Sequence, residues 1–301
     1  MATAHDLPAH LSVGASDRPD PTRAGAFLVA LLPFALVAAF LLGWAAEPLL
    51  AQAARADGAA TAAAERADAG LHAPYDALLR QFVRDGVVDY TGLSARRDEL
   101  QGYLRALAAT DPDALSRDEQ AALWINAYNA FTLELMLEYL GRIDGIKDIS
   151  SGKRWKHERW DVGGTRYSLD QIEHEILRPR GDARVHFALV CASVSCPDLR
   201  AEAYVGATLD AQLDDAARHF LADTSKGLRT AMESGFFGGD DPTLYLSKIF
   251  DWFEEDFEGD GQDVVDFVLR YAPAEDAAFI RRHRDDLDVD HMDYDWSLNG
   301  R

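Results

Sequence analysis

From Ala24 to Ala46 the chain carries no charged side chain, and Glu47 ends the run. A bilayer core takes about 20 apolar residues as a helix, so this stretch is long enough to cross it. Pro33 is tolerable in such a helix. The run exceeds the apolar core of about 7–15 residues found in cleavable signals. Its length favours an uncleaved anchor, while the small-residue pattern Ala51-Gln52-Ala53 leaves cleavage as the alternative. Arg18 and Arg23 precede the run and Arg55 lies well beyond it, which orients the N-terminus inside. The expectation is a single-pass membrane protein. Residues 1–23 form a polar segment, 24–46 the transmembrane anchor, 47–70 an Ala-rich linker and 71–301 an extracytoplasmic domain, periplasmic or at the cell surface.

Composition narrows the function classes. The chain has 30 Lys+Arg against 51 Asp+Glu, a formal charge of −21. No basic surplus exists to neutralise phosphates, so nucleic acid is not expected as a partner. Apolar residues at 48% suffice for a sizeable core. Two cysteines, Cys191 and Cys196, exclude a disulfide-rich scaffold. The partners that remain are a small-molecule or peptide-like ligand and, through the anchor, the membrane. No cofactor is expected.

Beyond residue 70 the pattern predicts helices with a few strands. Tyr75 to Val83 reads as an amphipathic helix ended by Asp85-Gly86, and Val87, Val88 and Tyr90 as a short extended piece. Ser94 to Leu107 is a second helix. The capping box Ser116-Arg117-Asp118-Glu119 opens a helix that runs to Leu140 and stops at Gly141. Trp160–Val162 and Thr165–Tyr167 flank Gly163-Gly164 as a β-hairpin. Ser168-Leu169-Asp170-Gln171 is another capping box, and Pro179 bounds its helix. The apolar run Arg184 to Cys191 is assigned to a buried strand. Helices over Thr208–Leu221, after Ser247, and over Gln262–Tyr271, with a strand at Leu244–Leu246, complete an α+β domain with a small, largely antiparallel sheet.

Several phrases occur in an order that resembles a known family. They are Asp85-Gly86-Val87-Val88-Asp89-Tyr90, Trp124-Ile125-Asn126-Ala127-Tyr128-Asn129-Ala130, Ser168-Leu169-Asp170-Gln171-Ile172-Glu173-His174, Arg184-Val185-His186-Phe187-Ala188-Leu189, Ser195-Cys196-Pro197 and Tyr294-Asp295-Trp296-Ser297-Leu298-Asn299. Together they resemble the domain of unknown function 547, over about Tyr75 to Asn299. The resemblance implies a distant similarity to papain-like and transglutaminase-like thiol enzymes. Val190 stands just before the first cysteine, where many members carry a polar residue, often Asn.

The residues themselves suggest a thiol site. In a regular strand His186, Ala188 and Val190 share one face and Cys191 lies on the other. Cys196, beyond a short loop, is then the better nucleophile and His186 its base. The two cysteines are also close enough in sequence for a disulfide. With His174 and His186 they are zinc ligand types, although the alternation argues against convergence. On a helical wheel Glu173 falls inside the apolar arc of Leu169, Ile172, Ile176 and Leu177, so it needs a partner: a catalytic role orienting His186, or an ion pair with Arg178 or Arg184. Asn126 and Asn129 fall on the apolar side of a helix whose wet face is marked by Glu134 and Glu138. They hold a substrate or an oxyanion, or tie down a loop. Trp296 reads as docked, with Asp295 or Asn299 as a third member behind a histidine or as part of a packing latch. Glu254-Glu255-Asp256 reads as a solvated face. The catalytic candidates are therefore Cys196, His186 and Glu173, with Asn126 and Asn129 for substrate. The function expected is a cysteine-dependent hydrolase or acyl transferase acting on an amide-like bond. The competing reading is a non-catalytic binding domain with a Cys191–Cys196 disulfide.

Overall fold

A computed structural model describes residues 68–234, 240–259 and 261–301. The chain divides into two compact units, Met1–Gly58 and Ala59–Arg301. The first, which contains the Ala24–Ala46 run, lies outside the described residues. Among the described residues no helix is long and apolar enough to cross a membrane. The expected transmembrane helix falls outside the described residues, and nothing in them supports it or the single-pass membrane and extracytoplasmic placement.

The second unit is α+β. Its centre is the helix Arg117–Tyr139, opened by the expected capping box: Ser116 accepts from the Glu119 N–H, and the Glu119 carboxylate accepts from the Ser116 N–H. From Ala122 to Leu137 every residue is buried. A helix apolar on all sides must be enclosed by other structure. The expected wet face is therefore absent at Glu134, which is buried and accepts a bidentate bond from Arg97 at 2.7 and 3.0 Å. Gly141, at φ 71°, follows where the helix ends; that conformation suits glycine.

Around this helix pack the helices 68–82 and Arg97–Ala109 and the hairpin Trp160–Val162/Thr165–Tyr167. The hairpin pairs Trp160 with Tyr167 and turns on Gly163 and Gly164, both at positive φ. A second core gathers Phe187, Phe220, Phe250, Phe257 and Phe267. It packs the helix Leu209–Ala222 against a three-stranded sheet. There Leu228–Ser234 runs antiparallel to Asp240–Leu246, which pairs in parallel with Asp288–His291.

The run Arg184 to Cys191 is not a strand. Ala183–Phe187 is a 3-10 turn, and the chain to Cys196 is irregular. Asp182 caps the turn by accepting from the Arg184 N–H at 3.1 Å. Val185 and Ala188 face the first core while Phe187 faces the second. A short apolar run fits a buried turn between two cores as well as it fits a strand, and periodicity does not separate them.

Candidate active site

The site is built on this seam. Ser168 and Gln171 form the expected capping box, at 2.9 and 3.1 Å. The helix Leu169–Gln171 then widens into a π-helix over Ile172–Leu177, and the Arg178 N–H reaches back five residues to the Glu173 carbonyl. Such widened turns are frequent at functional sites. Here the widened turn carries Glu173 and His174 into the wall of a cleft.

His186 stands on the 3-10 turn and is 4% exposed. Its Nε2 lies 2.6 Å from Asp256 Oδ2, and its ring stacks on Phe253 at 4.2 Å. Burial pushes the imidazole pKa down to about 4, with Asp256 offsetting part of the effect. The ring is therefore neutral near pH 7. Its Nε2–H donates to Asp256, and Nδ1 makes no hydrogen bond among the described residues. Burial alone raises the Asp256 carboxyl, but bonds from Arg178 and His186 outweigh it and hold the group below the usual carboxylate range. Arg178 Nε meets Asp256 at 2.5 Å and Arg178 Nη2 meets Glu255 at 2.7 Å. The residue bonded to His186 is thus Asp256, from a triplet that reads as a solvated face. Phe253, three residues earlier, is the signal that could have found it, because i and i+3 share a helix face.

Both cysteines are free. Cys196 is 3% exposed, and its sulfur accepts the Cys191 N–H at 2.8 Å. Its own S–H points to the Leu189 carbonyl at 3.7 Å. Cys191 is half-buried, with Sγ 3.4 Å from Ser193 Oγ and 3.4 Å from the Tyr294 hydroxyl. Donation from the Cys196 thiol pulls the Cys191 thiol down to about 7; burial opposes this, and the Ser193 and Tyr294 hydroxyls add to the lowering. Burial and the bond to Cys191 push the Cys196 thiol well up. The thiol with hydroxyl partners in the cleft is Cys191. The alternation argument had turned it away from His186, and it fails because the segment is not extended.

The next residue, Ala192, is held at φ 62°. A residue with a Cβ costs about 1–2 kcal/mol there. The C-terminal segment pins this bend: the Asn299 N–H donates to the Ala192 carbonyl at 3.1 Å, and the Val194 and Ser195 N–H groups donate to Ser297 and Asp295 carbonyls. Asp295 and Asn299 therefore act as a latch. Asp295 Oδ1 accepts from the Ser297 N–H, and Asn299 Oδ1 accepts from the Tyr90 hydroxyl. Trp296 is docked as expected, 4.5 Å from Tyr294 and 5.6 Å from Trp252.

Neither expected substrate-binding asparagine, Asn126 or Asn129, lines the cleft. Asn126 donates to the Tyr204 carbonyl at 2.7 Å and accepts from its N–H at 2.9 Å. Asn129 donates to the Ala188 carbonyl and accepts from the Val190 N–H, both at 2.9 Å. Both amides are committed to the loops they hold. Glu173 is half-buried and accepts from the Tyr128 hydroxyl at 3.2 Å. Burial raises its carboxyl, while His174 and Tyr128 lower it in part. The ion pair weighed for it is absent among the described residues, since Arg184 is taken up by Asp182, Asp210 and Asp214 and Arg178 by Asp256 and Glu255.

His186, Cys191, Cys196 and Glu173 all open on one cleft of about 200 Å³, whose wall also includes Trp155, Trp252, Phe253, Tyr294 and Trp296. Among the described residues no group of three or more His, Cys, Asp or Glu side chains is placed to hold a metal ion.

Residues 112–221 match the family described as "Protein of unknown function, DUF547", which supports the resemblance to that family over this stretch. No curated protein and no solved structure matches the chain. The comparisons support neither expected label, membrane protein or thiol hydrolase.

Proposed function

We propose that the cleft is an acyl-transfer centre with Cys191 as its nucleophile. The observation that carries this reading is the geometry of the half-buried Cys191 thiol, whose Sγ lies 3.4 Å from the Ser193 and Tyr294 hydroxyls in the cleft that also holds His186. A thiolate, not a thiol, attacks carbonyl carbon. In the reaction Cys191 Sγ adds to the carbonyl of an amide-like substrate. The S–C bond forms, the C–N bond breaks, and the amine leaves with the proton that His186 Nδ1 has taken from the thiol. The acceptor's nucleophilic atom then bonds to the acyl carbon and gives its proton to His186, the C–S bond breaks, and His186 passes that proton to the released Cys191 thiolate. Asp256 positions the ring and opposes its transient charge. Cys196 serves here as a donor to the thiolate. Its single S–H turns from the Leu189 carbonyl to Cys191 when Cys191 ionises.

The test is the pH profile of iodoacetamide labelling, read by peptide mass. One thiol reacts with a midpoint near 7 and is lost in Cys191→Ser. In Cys196→Ser that midpoint rises. Tyr294→Phe removes one donor and raises the midpoint by about one unit, equivalent to ~1.4 kcal/mol. Equal, slow labelling of both cysteines sinks the proposal. A native protein with no free thiol also sinks it, and favours a disulfide-held binding domain.

A further inference from the structure

We infer that the cleft beside Cys191 binds an organic ammonium group, so that the substrate carries a protonated or quaternary amine near its reacting carbonyl. The inference rests on the acyl-transfer reading for the word substrate, but the ammonium site stands on its own observations.

The first observation is an unmatched charge. The cleft wall includes Asp170 and Glu173 but no lysine or arginine; its basic groups are the imidazoles of His186 and of His174, the latter 3.9 Å from Asp170. Glu173 has a hydroxyl donor in Tyr128 and no salt bridge among the described residues. A carboxylate drawn out of water without a counter-charge is costly. Burial raises its pKa accordingly. The nearest guanidinium, Arg178, is already bound to Asp256 and Glu255. An ammonium entering the cleft supplies the missing charge.

The second observation is the aromatic wall. Trp252, Tyr294 and Trp296 form one cluster at the cleft, with ring centroids 4.5 to 5.6 Å apart. Trp252 is 45% exposed, which is high for so large an apolar side chain. Faces of tryptophan attract cations through the ring quadrupole. Trp296 already does so once: Lys147 Nζ sits 4.0 Å from its ring centroid, from a side chain that is not part of the cleft wall. An aromatic wall that shares its cleft with two carboxylates matches an alkylammonium, and the cations already over these rings, Lys147 on Trp296, Arg154 on Trp155 and Arg178 on Phe253, belong to side chains outside the lining. It disfavours an anionic ligand, which would meet Asp170 and Glu173 unscreened.

The closing experiment uses the full chain and two readouts. In the first, Cys191 is modified with 2-(trimethylammonio)ethyl methanethiosulfonate and with 2-sulfonatoethyl methanethiosulfonate, each rate normalised to free cysteine. The cationic reagent is favoured by about tenfold or more, and Glu173→Gln cuts that preference by about threefold or more. The charge of −21 draws cations to the whole surface, so the drop in Glu173→Gln isolates the local part. In the second, choline is titrated into Cys191→Ser while the tryptophan indole N–H resonances are followed by NMR. Saturable shifts appear with choline and not with its neutral isostere 3,3-dimethylbutan-1-ol. Equal normalised preferences in wild type and Glu173→Gln overturn the inference, as do indole shifts that fail to saturate or that the isostere reproduces. If neither reagent modifies Cys191, the acyl-transfer reading fails, while the indole titration still decides the ammonium site.

Discussion

The helix Arg117–Tyr139 and the segment Ala183–Leu199 meet at Asn129, and they keep their shapes by opposite means. The helix satisfies its own backbone through its ladder and closes its first turn with its own Ser116 and Glu119. The segment has only the short turn Ala183–Phe187 of its own. Beyond it the Cys196 N–H closes on the Ser193 carbonyl and the Cys196 sulfur takes the Cys191 N–H, while other polar backbone groups are met from elsewhere. Asn129 serves Ala188 and Val190, and residues 295–299 serve Ala192, Val194 and Ser195. The reactive groups all stand on the second kind of structure or against it. A regular helix offers its N–H groups no freedom to bend toward a sulfur. A borrowed scaffold lets the Cys191 N–H turn to Cys196 Sγ instead.

The comparison breaks first at Asn129. Asn129→Leu leaves a buried carbonyl and a buried N–H unpaired, and costs about 3–4 kcal/mol at roughly 1–3 per group. Urea denaturation measures the loss, and the labelling midpoint of Cys191 shifts with it. Asn126→Leu costs a similar amount because its two bonds to Tyr204 are equivalent, yet it leaves the Cys191 midpoint in place. If both variants move the midpoint alike, the segment is not held separately.

His186 gives a pH dependence of comparable size. Its folded pKa lies near 4, against an ordinary value of 6.5. Between those values the unfolded chain binds a proton that the folded one does not. Stability is therefore full above about pH 6.5 and is lost as the pH falls toward 4, by about 3 kcal/mol for this group. His186→Phe flattens that part of the profile. An unchanged slope between pH 6.5 and 4 would show that the ring is charged in the native state.

The smallest effect tests the strain at Ala192. Ala192→Gly relieves its positive φ but frees the unfolded chain, so stability rises by only about 0.5 kcal/mol. A loss above about 1 kcal/mol would mean that the buried methyl matters more than the backbone conformation.

The regular parts of this fold were legible because their signals are local. Ser116 and Glu119 name a helix start three residues apart, Gly141 ends that helix, and Gly163-Gly164 turns the hairpin. The docking of Trp296 was legible from the aromatic content of its short segment. The site was less so. Cys191 read as facing away because alternation presumes a strand, and this segment is bent by partners more than a hundred residues distant. Asp256 was hidden in an acidic triplet, and Tyr294 had no local pattern at all. Glu134 looked wet because a wheel carries no record of Arg97. Residues that act through long-range contacts leave no period in the sequence.

The contact between Cys191 and Tyr294 closes a loop of 103 residues. Closing so long a loop is entropically costly and slow compared with forming local helices and hairpins. During folding the central helix and the hairpin form before this contact, and until then Cys191 lacks the Tyr294 hydroxyl. Its reactivity is complete only once this distant pairing locks. The same ordering applies in reverse: local opening of residues 294–299 removes the Tyr294 share of the lowering without unfolding the first core. Hydrogen exchange at Val194, Ser195 and Asn299 should therefore keep time with the loss of thiolate character at Cys191.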